Sequence, residues 1–349
     1  MEMNGLYIVI ASACILVLAY RYYGAFLAAK VLVLDQFRPT PAVVHNDGHD
    51  YVPTNKWVTF GHHFAAIAGA GPLVGPVIAA QFGYLPGLLW ILIGSVVAGA
   101  VHDMVILFAS VRYDGKSIAD IAKEEISNLA SVGAMLATLF LLIITLAGMA
   151  VVVANALHNS AWGFFSVSMT IPIAIFVGIY LRWLRPGKIQ EATVIGVVLI
   201  FAAIIYGPQV AASSYASWFL YDLQTIEIML AVYGFFAAAL PVWLLLAPRD
   251  YLSTYLKIGT IGALALGIII VMPIIQMPAV TQFIHGGGPV LKGSVFPFIF
   301  ITIACGALSG FHTVIATGTT PKMITNEKEI LPIGYGAMLT EAFIAMMAL

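Results

Sequence analysis

The sequence predicts an all-α protein that crosses a membrane many times, and three observations carry that expectation. Hydrophobic residues make up 61% of its 349 positions and charged residues only 9%, against roughly a quarter charged in soluble domains; mean hydropathy is +1.00. Apolar runs of about 20 residues, the length that crosses the hydrocarbon of a bilayer, recur between charged or Gly/Pro-rich connections. If each run crosses once, all fifteen Lys and Arg residues except Lys292 fall on one side. That side is then cytoplasmic and the N-terminus lies outside, by the positive-inside rule. A net charge of −1 without a basic run argues against nucleic acid as a partner and leaves lipid as the surroundings.

About ten runs are expected as helices, near 4–21, 58–82, 84–110, 129–154, 167–184, 190–206, 226–247, 257–276, 296–316 and 331–349. The first has no basic residues before it and no small-residue cleavage site after it, so it reads as a retained span rather than a signal peptide. It is followed by an apolar stretch from Gly24 to Leu34 and a polar loop to Lys56, read as an interfacial helix and irregular chain. Cys14 and Cys305 both lie inside apolar runs, which implies neither a disulfide framework nor a cysteine metal cluster. No cofactor is expected.

The second and seventh runs are five apart and enter from opposite sides. Both are disturbed by proline, at Pro72 and Pro76 and at Pro241. That is the arrangement an inverted repeat of five helices requires. The expected organisation is a peripheral segment over residues 1–57, a first repeat over 58–206 and a second, incomplete repeat over 207–349. The tenth run reaches Leu349 with no polar residue to close it, so a longer parent protein is expected.

The strongest local signal is the stretch from Gly61-His62-His63-Phe64 to Gly69-Ala70-Gly71-Pro72-Leu73-Val74-Gly75-Pro76. Proline brings no amide hydrogen, so Pro72 leaves the Ala68 carbonyl without its helical partner and Pro76 does the same to Pro72. Glycines let the backbone leave helical geometry cheaply. Unwound backbone at membrane depth survives only inside protein or along a cavity, so residues 68–76 are expected to be open. Ala68, Gly69, Ala70, Gly71 and Pro72 then offer carbonyls to a cation and a helix start to an anionic solute. A tight packing kink of small residues is the plainer alternative.

In the ninth run, spacings of three and four place Thr302, Cys305, Ser309 and His312 or Thr313 on one helical stripe. Hydroxyls suit a hard cation such as sodium and imidazole suits a proton; hydroxyls bonding back to carbonyls one turn earlier is the structural reading. Ser309 and His312 are candidates for substrate, and Ala68, Ser309 and Thr313 for a coupling ion. Ionisable groups inside a bilayer are costly and mark function by default. Glu341, ten residues into the tenth run, is the clearest, and His102 with Asp103 is a candidate relay or hydrogen-bonded pair. His62 and His63 stand at the cytoplasmic entrance of the broken run, as a gate or as interfacial, solvated residues.

Tyr51-Val52-Pro53-Thr54-Asn55-Lys56, the His-His-Phe and Gly-Ala-Gly-Pro segments and His102-Asp103 resemble the carbon starvation protein A family, over the whole chain. That resemblance implies a bacterial inner-membrane carrier that takes up small peptides or pyruvate, driven by protons. It also implies kinship with the amino-acid/polyamine/organocation superfamily and its five-plus-five core. Where members of that superfamily hold sodium, they use the first and eighth core helices, here the second and ninth runs. Two other classes stand beside this reading. One is a nutrient sensor that moves nothing. The other is an intramembrane hydrolase built on Ser309 and His312, which one helix does not readily align as nucleophile and base.

Overall fold

A computed structural model describes residues 4–185, 188–240 and 244–349. Among these the architecture is helical, apart from one isolated bridge between Asn4 and Ile274. Pro241, the expected break in the seventh run, lies outside the described residues. Among the described residues, seven helices are long and apolar enough to cross a membrane, and eight if the one bent pair is counted as a span.

Helix α1 (Gly5–Leu18) is opened by Asn4, whose side chain accepts the Leu6 amide. It continues through wide turns to Val31, 27 residues in all. The expected separate interfacial helix is thus the end of the first span, since nothing between Gly5 and Val31 supplies a proline or a cap to stop it. Helix α2 (Lys56–Ile67) is capped by Asn55, and α3 (Gly71–Ala79) resumes after a break with a 45° bend. The unwound stretch is therefore shorter than expected, residues 68–70 rather than 68–76. Pro72 falls in the first turn of α3, where its missing amide has no partner to lose, and the helix accommodates Pro76.

Helices α4 (Tyr84–Gly94) and α5 (Ala100–Arg112) are joined through the wide turn Ser95–Gly99 into one span. Then follow α6 (Asn128–Leu157), α7 (Ala161–Ile179), α8 (Ile189–Ala211), α9 (Leu223–Ala239) and α10 (Leu246–Val271). The ninth run is not one continuous helix. It forms two short helices, α11 (Val295–Thr302) and α12 (Phe311–Thr317), separated by irregular chain. Helix α13 (Ala337–Ala348) closes the chain.

The chain divides into two compact units, Met1–Leu142 with Thr260–Leu349, and Ile143–Gly259. In the first, α13 is central: 67% of its span's most apolar window is buried, against none in α6. Met338 and Tyr335 pack with Leu16, Met104 and Leu107, while Ala345 and Met346 pack with Ile91, Phe82 and Ile303. Lipid offers no hydrophobic drive for helix association, so close backbone packing must supply it. Two glycines make that approach possible: a Cβ on Gly75 would stand 2.3 Å from the Thr302 carbonyl oxygen, and one on Gly99 2.1 Å from that of Ala307. These contacts flank the break in the ninth run, and the Trp90 indole donates to the Ile303 carbonyl at 3.0 Å, pairing a group the ended helix does not use. In the second unit, Ile173, Val177, Ala192, Ile200 and Leu252 form the core. There the Arg249 guanidinium donates to the Tyr233 hydroxyl at 2.6 Å and lies over its ring.

Candidate functional site

Helix α2 ends where Ala68 turns to ψ +68. Its amide still reaches Phe64, that of Gly69 reaches Ile67, and the Ala70 carbonyl receives Leu73 and Val74 as α3 begins. Cys305 lies directly under this break: a Cβ on Gly71 would stand 2.5 Å from the Cys305 Cβ, and the Cys305 thiol approaches the Ile67 carbonyl at 3.8 Å. The break in the ninth run is what lets Cys305 sit there, since the expected single-helix stripe through Thr302, Cys305, Ser309 and His312 does not form.

Beside the break runs a buried polar chain. His312, in the first turn of α12, contacts Asp103 of α5 through Nδ1 at 2.7 Å. The second Asp103 oxygen takes His102 Nδ1 at 2.8 Å, and His102 Nε2 meets the Thr313 hydroxyl at 2.9 Å. In the other direction His312 Nε2 lies 3.3 Å from Glu341 of α13 and 3.9 Å from Cys305 Sγ. Asp103, His312 and Glu341 are wholly buried, while the His102 side chain is 26% exposed. An ionised carboxylate only accepts hydrogen bonds, so with Asp103 ionised His312 Nδ1 carries a hydrogen. A hydrogen bond between His312 and Glu341 likewise holds one proton, whichever side keeps it. Two buried carboxylates thus depend on the imidazoles of His312 and His102 for their partners, and burying charge without compensation is expensive.

The sequence singled out Glu341, His102, Asp103 and His312 separately, and the structure joins them into one chain with His312 between the carboxylates. His63 is fully buried, not solvated, with Nδ1 2.8 Å from the Thr320 hydroxyl. His62 is half-buried. Ser309 is buried, and its carbonyl accepts the His312 amide at 3.3 Å. Both ring nitrogens of His312 face other groups, which removes it as a base for Ser309. The Thr302 and Thr317 hydroxyls bond back to carbonyls four residues earlier, and Thr313 does not share that habit. The sequence placed Cys305 on the polar stripe but gave it no role: its thiol, His312 Nε2 and a Glu341 oxygen lie within 4.8 Å of one another, spacing a metal ion can bridge. Only contact across three segments reveals it.

Residues 4–349 match the family model described as carbon starvation protein CstA. The chain belongs to that family. It is 58% identical to the peptide transporter CstA of Escherichia coli and 56% identical to that of Campylobacter jejuni, in both cases over 100% of this chain and 50% of the relative. It is also 54% identical, over 100% of its length and 49% of the relative, to the pyruvate/proton symporter BtsT of Escherichia coli. The chain thus spans about half the length of these relatives, all named for transport rather than catalysis. No solved structure matches it.

Proposed function

We propose that this chain carries the solute- and ion-handling part of a secondary transporter that imports small peptides or pyruvate across a bacterial inner membrane, coupled to protons. The observation that carries this reading is the buried chain from Thr313 through His102, Asp103 and His312 to Glu341, set against a helix broken at residues 68–70. The broken backbone offers Ala68, Gly69, Ala70, Gly71 and Pro72 as the seat for a substrate carboxylate, with Ser309 and His312 alongside. The coupling proton moves along the hydrogen-bonded chain. Proton rather than sodium is favoured because the Thr313 hydroxyl, a candidate sodium ligand, is engaged by His102. His62 and His63 gate the cytoplasmic side, with His63 held by Thr320.

This reading includes alternating access between inverted repeats, in a core of about ten helices akin to the amino-acid/polyamine/organocation superfamily, with the N-terminus periplasmic. Its support is the apolar spans, the one-sided Lys and Arg distribution and the names of the relatives. The test is uptake of labelled pyruvate and labelled dipeptide by proteoliposomes holding the whole protein. An inward proton gradient should drive accumulation of one of them, and an equal sodium gradient without a proton gradient should not. Sodium-driven accumulation would replace the coupling ion, downhill flux without accumulation would indicate a channel, and no flux of either solute would favour a sensor.

A further inference from the structure

Cys305, His312 and Glu341 come from the irregular stretch between α11 and α12, the first turn of α12 and the middle of α13. They meet nose to nose. For a tetrahedral zinc ion with nitrogen and oxygen about 2.0 Å away and sulfur about 2.3 Å away, neighbouring ligands stand roughly 3.3 Å apart for nitrogen with oxygen and roughly 3.5 Å for nitrogen with sulfur. The observed separations from His312 Nε2 are 3.3 Å to Glu341 Oε2 and 3.9 Å to Cys305 Sγ. One of the three edges between these donors is already present; the other two, His312 Nε2 to Cys305 Sγ at 3.9 Å and Cys305 Sγ to a Glu341 oxygen within 4.8 Å, close by movement of a thiol that is not fully enclosed.

The surroundings match as well. A histidine that binds a metal through one nitrogen ordinarily gives its other N–H to a carboxylate, which fixes its tautomer and orientation. Asp103 does this to His312 Nδ1 at 2.7 Å, and Asp103 is itself held by His102 at 2.8 Å. A donor set of thiolate, imidazole and carboxylate suits zinc and its borderline-soft neighbours, and disfavours magnesium and calcium, which take oxygen. The buried carboxylates Asp103 and Glu341 supply the negative charge that a divalent cation compensates.

We infer that Cys305 Sγ, His312 Nε2 and a Glu341 carboxylate oxygen form a three-donor site for a borderline-soft divalent cation of the zinc class. The fourth position is left for water or the nearby Ile67 carbonyl. Binding releases the thiol proton and the proton between His312 and Glu341. On the transport reading above, on which this consequence alone rests, the metal takes the place of the coupling proton and arrests uptake.

The test uses the whole protein, purified in detergent and stripped with a chelator, titrated with Co2+ as a spectroscopic stand-in for Zn2+. The expected result is one Co2+ per chain with an intense thiolate-to-metal charge-transfer band, abolished by one equivalent of Zn2+. The assignment is made by substitution: the band should vanish in Cys305→Ala and persist in Cys14→Ala. Cys305→Ser, which keeps a small polar group under Gly71, should also lose the band while retaining the thermal transition of the parent. Absence of the band in the parent protein, or its persistence in Cys305→Ala, overturns the site. No solute or gradient enters these spectra, so failure of the transport reading leaves the result standing.

Discussion

Tyr335 is fully enclosed, and its hydroxyl donates to the Val96 carbonyl at 3.0 Å, inside the wide turn that joins α4 to α5. Tyr335→Phe should therefore lower stability by about 1 kcal/mol, seen as an earlier thermal transition in detergent; an unchanged transition would mean that Val96 has another donor. Asp47 acts through charge in the polar loop before α2. Its carboxylate accepts the amides of His49, Asp50 and Tyr51 at 2.8, 2.8 and 3.0 Å. These bonds, that of His49 foremost, hold its pKa at about 2 against the ordinary 3.8. Because the folded value is depressed, the stabilisation is complete above the ordinary value and is lost as pH falls towards about 2. Amide exchange at His49, Asp50 and Tyr51, corrected for its intrinsic pH dependence, should lose protection across that window, and Asp47→Asn should make the protection insensitive to pH there. At this scale the sequence exposed the costly residues Asp103 and Glu341, because ionisable groups in apolar runs stand out. It could not pair them, since the histidine between them lies 209 positions from Asp103.

Among the elements, the break between α2 and α3 was readable because Gly69, Gly71 and Pro72 each act locally on backbone geometry. The break between α11 and α12 was not. Gly306 and Gly310 weaken the helix locally, but its residues are otherwise as apolar as those of a span, and what packs at the interruption comes from elsewhere: the backbone at Gly75 and Gly99 lies against Thr302 and Ala307, and Trp90 takes the Ile303 carbonyl. Tertiary packing overrides local propensity there. That account predicts a contrast between two glycines. Gly75→Ala places a methyl 2.3 Å from a backbone oxygen, so α3 and the end of α11 must separate, at about 1–3 kcal/mol. Gly267→Ala in α10 meets nothing within 4 Å and replaces a poor helix former with a good one, a gain of up to about 1 kcal/mol. Thermal transitions of the two variants in detergent should move in opposite directions. Equal shifts would show that the close approach does not organise this region.

At the scale of the whole molecule, the one-sided distribution of Lys and Arg has a counterpart in which connections touch within the first unit. Arg112 grips Glu327 with contacts of 2.6 and 2.9 Å, and the same Glu327 accepts the Asp35 amide at 2.9 Å. Lys322 pairs with Asp50 at 2.8 Å, and the Tyr51 hydroxyl donates to the Asp114 carbonyl. The three basic connections, around residues 32–55, 112–117 and 318–329, therefore gather at one end. At the opposite end the Gly5 amide meets Pro273, the Leu85 amide meets Ala279, and Gln81 binds the backbone of Val290 and Leu291 beside Lys292. Chain crossings inferred from the apolar runs and contacts formed in three dimensions sort these connections into the same two groups, although the ninth run is two short helices rather than the single one expected. The sorting survives that difference because α11 and α12 together still carry the chain from the Lys292 end to the Lys322 end. The positive-inside rule then gives the ends their names, and single cysteines introduced into a cysteine-free protein test it in intact cells. Lys292→Cys should react with a membrane-impermeant maleimide applied outside, and Lys116→Cys should react only after the membrane is opened. The reverse pattern would turn the molecule over, placing the basic connections on the other side of the membrane from the one proposed.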